Sequence, residues 1–339
     1  MLNSAPKYVS KKHSELSDIL APVSSELAIL EDKLAENLSG NNPVLNNIIL
    51  YIIQAGGKRL RPAVSFLFAK ALNKGYLSSN HFQLGQAVEL IHTATLIHDD
   101  VIDETKIRRK KLTVNNKWND KAAIIAGDYL LAKSLNKLAS VKNFSVIEIF
   151  ANIMGEICEG EVQQNSQNYQ FVSLEEYIEK SKRKTANLFV AGAQSAAILT
   201  QNVDNLIVKA AREYALNFGI AFQIVDDILN FTATEDELGK PIGIDLRDGI
   251  LTAPVLFALD EYEEKEDFTL RTLINREFNE KGDFDTAIDL IFRTNGIVKA
   301  RQLANYYVDL AIKSLDIIED SSYKNSLTEL ASYIIERKF

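Results

Sequence analysis

The stretch that decides the fold is an apolar run that ends in three carboxylates, Leu90-Ile91-His92-Thr93-Ala94-Thr95-Leu96-Ile97-His98-Asp99-Asp100-Val101-Ile102-Asp103. Asp99 and Asp103 would lie on one face of a helix, with Cβ atoms about 5–6 Å apart. Two carboxylates this close repel each other, and a buried carboxylate is costly unless it is paired or binds a metal. Clustered oxygen ligands suit a hard cation, so the stretch predicts a Mg²⁺ site.

A second carboxylate set ends another apolar pattern, Phe222-Gln223-Ile224-Val225-Asp226-Asp227-Ile228-Leu229-Asn230-Phe231. One acidic pair at a helix end is usually a solvated cap. Two sets in matching apolar surroundings indicate instead two helices that share a metal site. The sets are 127 residues apart (226 − 99), so only tertiary packing in a large bundle can bring them face to face.

The composition is that of a globular protein with a sizeable core. The chain has 339 residues, of which 46% are hydrophobic and 25% charged, and its formal net charge is -8. This charge argues against nucleic acid as a partner, which would call for a basic face. The single cysteine, Cys158, makes no internal disulfide, which indicates a reducing compartment, and we expect it to pack in the interior. The N-terminus lacks an apolar signal core and no long apolar run occurs, so we expect a soluble protein.

Helical periodicity dominates the chain. Helices are predicted at 15–37, from Pro43 with Asn42 as N-cap, at 121–138, at 144–165, after a Ser173/Glu176 capping box, at 204–231, at 296–315, and at 326–337 with a Ser326/Glu329 capping box. No strand hairpin is predicted, and the acidic stretch 255–281 reads as a surface region. We therefore expect an all-α fold, a single large helical bundle with a central cavity for diphosphate and Mg²⁺. No linker divides it, so residues 1–339 form one domain, with 1–13 disordered.

Basic residues flank the acidic patterns. Gly56 and Gly57 precede Lys58 and Arg61, a run of four cations begins at Arg108, and single lysines stand at 184 and 240. Cations beside clustered acids suit a diphosphate held by metal on one side and by guanidinium on the other. With apolar helix faces beneath the acids, the pattern predicts a substrate with a diphosphate head and a hydrocarbon tail.

The chain resembles the trans-isoprenyl diphosphate synthases, the polyprenyl synthetase family. The matching motifs, in the order in which the family has them, are Gly57-Lys58-Arg59-Leu60-Arg61-Pro62, Asp99-Asp100-Val101-Ile102-Asp103, Arg108-Arg109, Lys184-Thr185, Phe222-Gln223 with Asp226-Asp227, and Gly239-Lys240-Pro241. The resemblance implies the isoprenoid synthase fold and a prenyltransferase that joins isopentenyl diphosphate to an allylic diphosphate, farnesyl or geranylgeranyl. It also implies a homodimer.

The resemblance also implies residue roles. Asp99, Asp103 and Asp226 would ligate Mg²⁺, with Asp100 and Asp227 in support. Arg108, Lys184 and Lys240 would bind the allylic diphosphate, while Lys58, Arg61, His92 and Arg109 would bind isopentenyl diphosphate. Thr185 and Gln223 would offer oxygen dipoles to the developing carbocation. Two positions depart from the family pattern: Asn230 replaces the usual third aspartate of the second motif, and Ile250 replaces a frequent lysine.

Product length should depend on Ile91, Ala94 and Thr95, one to two turns before Asp99. None is the aromatic plug of short-chain members, so we expect a long product. Ile91 to Thr95 together with Leu251-Thr252-Ala253-Pro254 resemble the polyprenyl synthases of cyanobacteria and plastids, which implies a solanesyl-type product for plastoquinone.

Several alternatives stay open. A geranylgeranyl diphosphate synthase is the nearest competitor, a terpene cyclase shares the bundle and the first acidic motif, and an inactive regulatory subunit of a heteromeric synthase is the non-enzyme alternative. A bacterial cytoplasm and a plastid stroma are both compatible with the sequence. Any membrane contact is expected to be transient, at product release.

Overall fold

The chain folds into α-helices, and the computed structural model describes residues 15–37, 42–165, 168–233 and 241–337. The helices are α1 (Leu16–Ile19), α2 (Ser24–Asn37), α3 (Pro43–Ile53), α4 (Leu60–Leu72), α5 (Ser79–Ile102), α6 (Val114–Lys117), α7 (Asp120–Val141), α8 (Phe144–Asn165), α9 (Leu174–Ser181), α10 (Asn187–Ile198), α11 (Asn205–Thr232), α12 (Ile244–Arg247), α13 (Ala253–Glu263), α14 (Thr269–Asn275), α15 (Asp283–Phe292), α16 (Gly296–Ser314) and α17 (Ser322–Glu336). The all-α prediction is confirmed. The disorder predicted for residues 1–13 and the role predicted for Lys240 lie outside the described residues.

Two predicted helix starts are confirmed in atomic detail. The side-chain oxygen of Asn42 accepts hydrogen bonds from the backbone N–H groups of Val44 (3.0 Å) and Leu45 (3.1 Å), and Pro43 occupies the first helical position. Ser173 and Glu176 form a reciprocal capping box at the start of α9. Both signals act within one turn of the chain, which is why the sequence alone reveals them.

Packing brings the two acid-bearing helices, α5 and α11, into one assembly. α10 lies against both of them, α5 packs along α7, and α11 packs along α16. α11 contributes to two buried apolar clusters: Tyr214 and Phe218 pack with α4 and α5, whereas Ile224 and Ile228 pack with α13 and α16. Packing on two sides fixes the carboxylates that follow these residues.

Two helix predictions and one prediction of a surface region were wrong. The helix predicted over 15–37 is broken by a 3₁₀ turn, Ala21–Val23, because Pro22 lacks the N–H that an unbroken helix needs. The last helix begins at Ser322 with Ser321 as N-cap, so Ser326 is a buried helical residue and not a cap. The stretch 255–281 is not merely surface, since its apolar residues, among them Val255 and Leu270, pack in the second apolar cluster.

Two further expectations were wrong. A short antiparallel hairpin joins α5 to α6, with β1 (Ile107–Arg108) paired to β2 (Lys111–Leu112). The hairpin contains four consecutive cations, so its two-residue strands lack the alternation of apolar and polar residues by which a strand is predicted. Cys158 is exposed on α8 and does not pack in the interior. Within the described ranges, no helix has both the length and the apolar character to cross a membrane.

Candidate active site

A cavity between α5, α9 and α11 brings the two acidic motifs together. Asp103 at the end of α5 and Asp227 of α11 line it, together with Asp245 from α12. Lys180 and Lys184 line the same cavity. One acid of each motif, Asp103 and Asp227, thus faces the same cavity as two lysines.

The Asp99 carboxylate is partly removed from solvent and lies near other carboxylates. Burial raises its pKa to about 6, and the neighbouring carboxylates of Glu161 and Asp103 act in the same direction. Lys184 opposes the shift, and its Nζ lies 3.1 Å from Glu161 Oε2. Arg108 also lowers this pKa, though less than Lys184 does, and a further cation would favour the charged form of Asp99 in the same way.

A chain of hydrogen bonds fixes the second motif. The Thr185 hydroxyl donates to Gln223 Oε1 (2.5 Å), and the Gln223 amide donates to Asp227 Oδ1 (2.8 Å). The buried Tyr177 hydroxyl donates to Asp227 Oδ2 (2.5 Å). Asp227 is thus held at both oxygens, and burial raises its pKa to about 8. Because Gln223 Oε1 receives the Thr185 proton, the lone pairs of Thr185 are the more accessible oxygen dipole.

Thr185 and Lys184 reach this network from a π-helical turn, Lys182–Ala186, that follows α9. The turn lies directly against α11 at Gly219, where an added Cβ would come within 2.4 Å of Ala186 Cα. Glycine at this position therefore permits the close approach that brings Thr185 to Gln223.

Asp226 points to a different neighbour. It forms an ion pair with Arg337 at the end of α17. The guanidinium also donates to the Phe222 carbonyl oxygen (3.2 Å) and lies 3.9 Å from the centroid of the Phe222 ring. Burial raises the pKa of Asp226, and Arg337 offsets part of that shift. A metal ion at Asp226 would have to compete with this arginine.

A second pocket gathers cationic side chains. Lys58, Arg61, His92 and Arg109 line it, as predicted for one anion-binding group. Arg61 Nη1 lies 3.0 Å from His92 Nε2, and since arginine can only donate, Nε2 accepts and Nδ1 carries the proton. Burial, and next the charge of Arg61, hold the pKa of His92 well below its usual range. Neutral His92 is therefore a hydrogen-bond donor through Nδ1 at physiological pH.

The structure also shows the surroundings of Arg108, Asn230 and His98. Arg108 Nε donates to the buried Asp100 Oδ1 (2.6 Å), so Asp100 orients this arginine. Asn230 is buried, and its Oδ1 has no hydrogen-bond partner among the described residues. His98 Nε2 lies 3.2 Å from the Ile124 carbonyl oxygen of α7, so this histidine joins α5 to α7.

The proposed chain-length residues lie on α5 before Asp99. Ile91 and Ala94 are 1% and 0% exposed, and Thr95 is half-buried, with its hydroxyl donating to the His92 carbonyl oxygen (2.9 Å). Successive helical residues turn by about 100°. Thr95 therefore lies almost below Asp99, while Ala94 lies about 140° away around the helix, on its buried side.

The donor set fits a hard cation that is completed by its substrate. In the part of the chain that the structure describes, no three acids, histidines or cysteines enclose a metal position by themselves. Mg²⁺ commonly binds one or two carboxylates, keeps several waters and takes its remaining ligands from phosphate oxygens. Buried carboxylates with raised pKa values, such as Asp99, suit this arrangement.

Sequence reasoning missed four site residues. Lys180 precedes Lys184 by four residues, a spacing that places two lysines on one helix face and could have been recognised. Tyr177, Glu161 and Arg337 gave no such signal, because each meets its acidic or basic partner only through tertiary packing.

The raised pKa of Asp227 predicts a pH-dependent stability. Because its folded value, about 8, exceeds the ordinary 3.8, the folded protein binds more protons than the unfolded chain between those values, and stability is lost as pH rises through about 8. We expect the Tm of the metal-free protein to fall by about 2–4 °C between about pH 7 and pH 8.5. Differential scanning calorimetry checks this. Asp227→Asn should flatten the dependence, and a wild-type Tm that rises over this interval would contradict it.

The helical bundle and its acid-lined cavity define an isoprenoid synthase fold. The model of the Polyprenyl synthetase family matches residues 42–291. The chain therefore belongs to the polyprenyl synthetase family.

Individual relatives agree with this assignment. The chain is 40% identical over 327 residues to solanesyl-diphosphate synthase 2, chloroplastic, of Oryza sativa subsp. japonica, covering 95% of this chain and 80% of the relative. It is 38% identical to a prenyl transferase of Synechocystis sp., covering 95% and 98% of the two chains. A crystal structure of polyprenyl synthase from Caulobacter crescentus CB15, complexed with calcium and isoprenyl diphosphate, superposes with a TM-score of 0.89 at 30% identity and covers 97% and 100% of the two chains.

Proposed function

We propose that this protein condenses isopentenyl diphosphate head-to-tail with an allylic diphosphate, farnesyl or geranylgeranyl, to make a long all-trans polyprenyl diphosphate. The observation that carries the proposal is the pair of adjoining sites: a cavity with acids from α5 and α11, and a pocket lined by Lys58, Arg61 and Arg109. Two diphosphate substrates need two anion sites of this kind. The solanesyl and prenyl transferase relatives support the same reaction.

The cations divide between the two substrates. Arg108, Lys184 and Lys240 bind the allylic diphosphate in this proposal, and Lys180 joins them because it lines the cavity of Lys184. Lys58, Arg61, His92 and Arg109 hold isopentenyl diphosphate.

Asp99, Asp103 and Asp226 would hold Mg²⁺, which neutralises negative charge on the departing diphosphate. Calcium in the Caulobacter crescentus relative supports a divalent ion in that protein's complex. Burial, and after it the neighbouring carboxylates of Glu161 and Asp103, raise the pKa of Asp99, and a bound cation would favour its charged form.

The protein's own groups assist ionisation and condensation. Lys184 and Arg108 stabilise the leaving diphosphate, and the Thr185 hydroxyl oxygen faces positive charge that develops on the allylic carbon. Phe222, which lines the isopentenyl pocket, excludes water from the carbocation. No side-chain base is assigned, and the released diphosphate takes the proton that the condensed product loses.

We propose a solanesyl-type product, used as a quinone side chain. The names of the relatives and the residues before Asp99 support this product. No aromatic residue stands at Ile91, Ala94 or Thr95. The geranylgeranyl synthase alternative is less well supported, since the rice relative is named for a solanesyl product.

The deciding experiment incubates the purified chain with Mg²⁺, labelled isopentenyl diphosphate and either farnesyl or geranylgeranyl diphosphate. Products are dephosphorylated and sized by thin-layer chromatography, with chelator as the control. We expect a metal-dependent ladder that ends in one long polyprenol. A ladder ending at geranylgeraniol would establish the short-chain alternative, a cyclic hydrocarbon would indicate a cyclase, and no elongation with any primer would favour the regulatory subunit.

The proposed assembly is a homodimer of single polyprenyl synthetase domains spanning 1–339. Apolar side chains on α7 and at the start of α8 support it: Ile125, Leu135 and Phe144 are 50%, 52% and 78% exposed. α7 packs on α5, the helix that carries the proposed chain-length residues Ile91, Ala94 and Thr95. The location, a bacterial cytoplasm or a plastid stroma, follows the Synechocystis and rice relatives.

A further inference from the structure

Two cationic loops meet at the isopentenyl diphosphate pocket. The loop after α3 carries Gly57 and Lys58, and the β1–β2 hairpin carries Arg109. A Cβ added at Gly57 would lie 2.9 Å from Arg109 Nη1. The Arg109 guanidinium therefore rests on the bare backbone of Gly57, and the two loops have to keep a fixed separation for both to face one anion.

The tip of the hairpin is held in an unfavourable backbone conformation. Arg109 and Lys110 have φ angles of 51° and 60°, the left-handed region that a tight two-residue hairpin turn needs and that glycine or asparagine normally supplies. Such conformations are unfavourable for residues other than glycine and persist only where the surroundings enforce them. The hairpin must therefore be fastened from outside its own two short strands.

Two side chains fasten it to α3. The Tyr51 hydroxyl donates to the Leu112 carbonyl oxygen (2.7 Å), and Lys111 Nζ donates to the carbonyl oxygen of Gln54 at the C-terminal end of α3 (2.8 Å). The Tyr51 ring is held in turn: Lys117 Nζ lies 3.7 Å from its centroid, and the Trp118 ring meets it edge-on at 5.3 Å. Since α3 leads directly into the Gly57 loop, these contacts join both cationic loops into one unit.

We propose that Tyr51 and Lys111 are positioning residues that set the distance between the two loops and thereby the affinity for isopentenyl diphosphate. The proposal rests on the proposed function, because that function identifies the anion in the pocket. Neither side chain needs to touch substrate: each acts through the hairpin that holds Arg109. Binding of isopentenyl diphosphate should therefore weaken when either contact is lost. Arg108 lies on the same hairpin but is held separately by its hydrogen bond to Asp100 Oδ1 (2.6 Å), so the allylic site should change less.

The test uses the full chain with Mg²⁺ and measures kcat and KM for isopentenyl diphosphate at saturating allylic primer. Tyr51→Phe should raise KM about five- to tenfold, the factor that one neutral hydrogen bond corresponds to, with kcat changed less than about twofold. Tyr76→Phe, which removes an exposed hydroxyl elsewhere, should change neither. KM for the primer should rise less than KM for isopentenyl diphosphate, because Asp100 holds Arg108 independently of α3.

Lys111→Met and Lys110→Met form a matched pair, since both remove one charge from the hairpin and only Lys111 contacts α3. Lys111→Met should raise KM clearly more than Lys110→Met. The double variant Tyr51→Phe/Lys111→Met should deviate from additivity, because both residues hold the same hairpin. If Lys111→Met and Lys110→Met raise KM equally, Lys111 acts through its charge alone and the proposal is wrong. An unchanged KM in Tyr51→Phe would also overturn it.

Two controls separate this result from other causes. Thermal unfolding of each variant shows whether the hairpin contacts serve overall stability only, and a lowered Tm with unchanged KM would count against positioning. Binding of inorganic pyrophosphate, followed by calorimetry, reports on the pocket independently of turnover. Wild-type protein that neither binds pyrophosphate nor elongates would refute the proposed function itself, whereas active wild-type protein with insensitive variants would refute only the positioning role.

Discussion

Asp99→Asn is expected to reduce kcat for elongation by a factor of about 10²–10³, because it removes the negative charge of a proposed Mg²⁺ ligand. The asparagine keeps the size of the side chain and accepts hydrogen bonds, so packing changes little. Asp99 is partly desolvated beside Glu161 and Asp103, which raises its pKa, so a bound cation would stabilise its charged form. Loss of the charge should therefore raise the Mg²⁺ concentration needed for half-maximal rate.

The measurement is incorporation of labelled isopentenyl diphosphate over a Mg²⁺ titration. Asp128→Asn is the matched control, since this carboxylate lies on the neighbouring α7, is 67% exposed in its side chain and lines none of the site. It should retain wild-type kcat. Retention of more than a tenth of the wild-type rate by Asp99→Asn at every Mg²⁺ concentration would show that Asp99 is not a metal ligand.

Ala94→Phe is expected to shorten the product by several isoprene units, because a phenyl ring on the buried part of α5 would block the descending chain. The first condensation should continue, so total incorporation falls less than product length. The ring also overpacks a residue that is 0% exposed, at a typical cost of about 1–3 kcal/mol. Tm is therefore measured beside the product ladder.

Thr95→Phe provides a second test of whether the residues of α5 before Asp99 limit product length. Thr95 is half-buried and lies one helical turn below Asp99 on nearly the same face, so its phenyl ring points more directly into the path of the tail. Ala94→Ser, which changes the volume little, should leave the ladder unchanged. If the variants of both residues fold, are active and still make full-length products, this part of α5 does not limit product length.

The sequence by itself determined the helices and the chemistry of the two motifs. The Asn42–Pro43 start and the Ser173/Glu176 box were readable because capping involves groups only two or three residues apart. The acids directly after apolar runs were recognisable for a similar reason, because both the run and the acids lie within a few residues of each other, and Asp100 and Asp227 are indeed buried. Where a local signal was overlooked, as at Pro22, the missed feature was also local.

Tertiary structure alone decided which partners the site residues meet. Arg337 pairs with Asp226 and Tyr177 with Asp227 across 111 and 50 positions of sequence, and nothing near either acid in the chain specifies its partner. The hairpin tip, too, depends on Tyr51, which lies 61 positions from Leu112. The physical reason is that a hydrogen bond or ion pair acts over a few ångströms of space, so its partner is fixed by how the helices pack and not by the sequence around either residue.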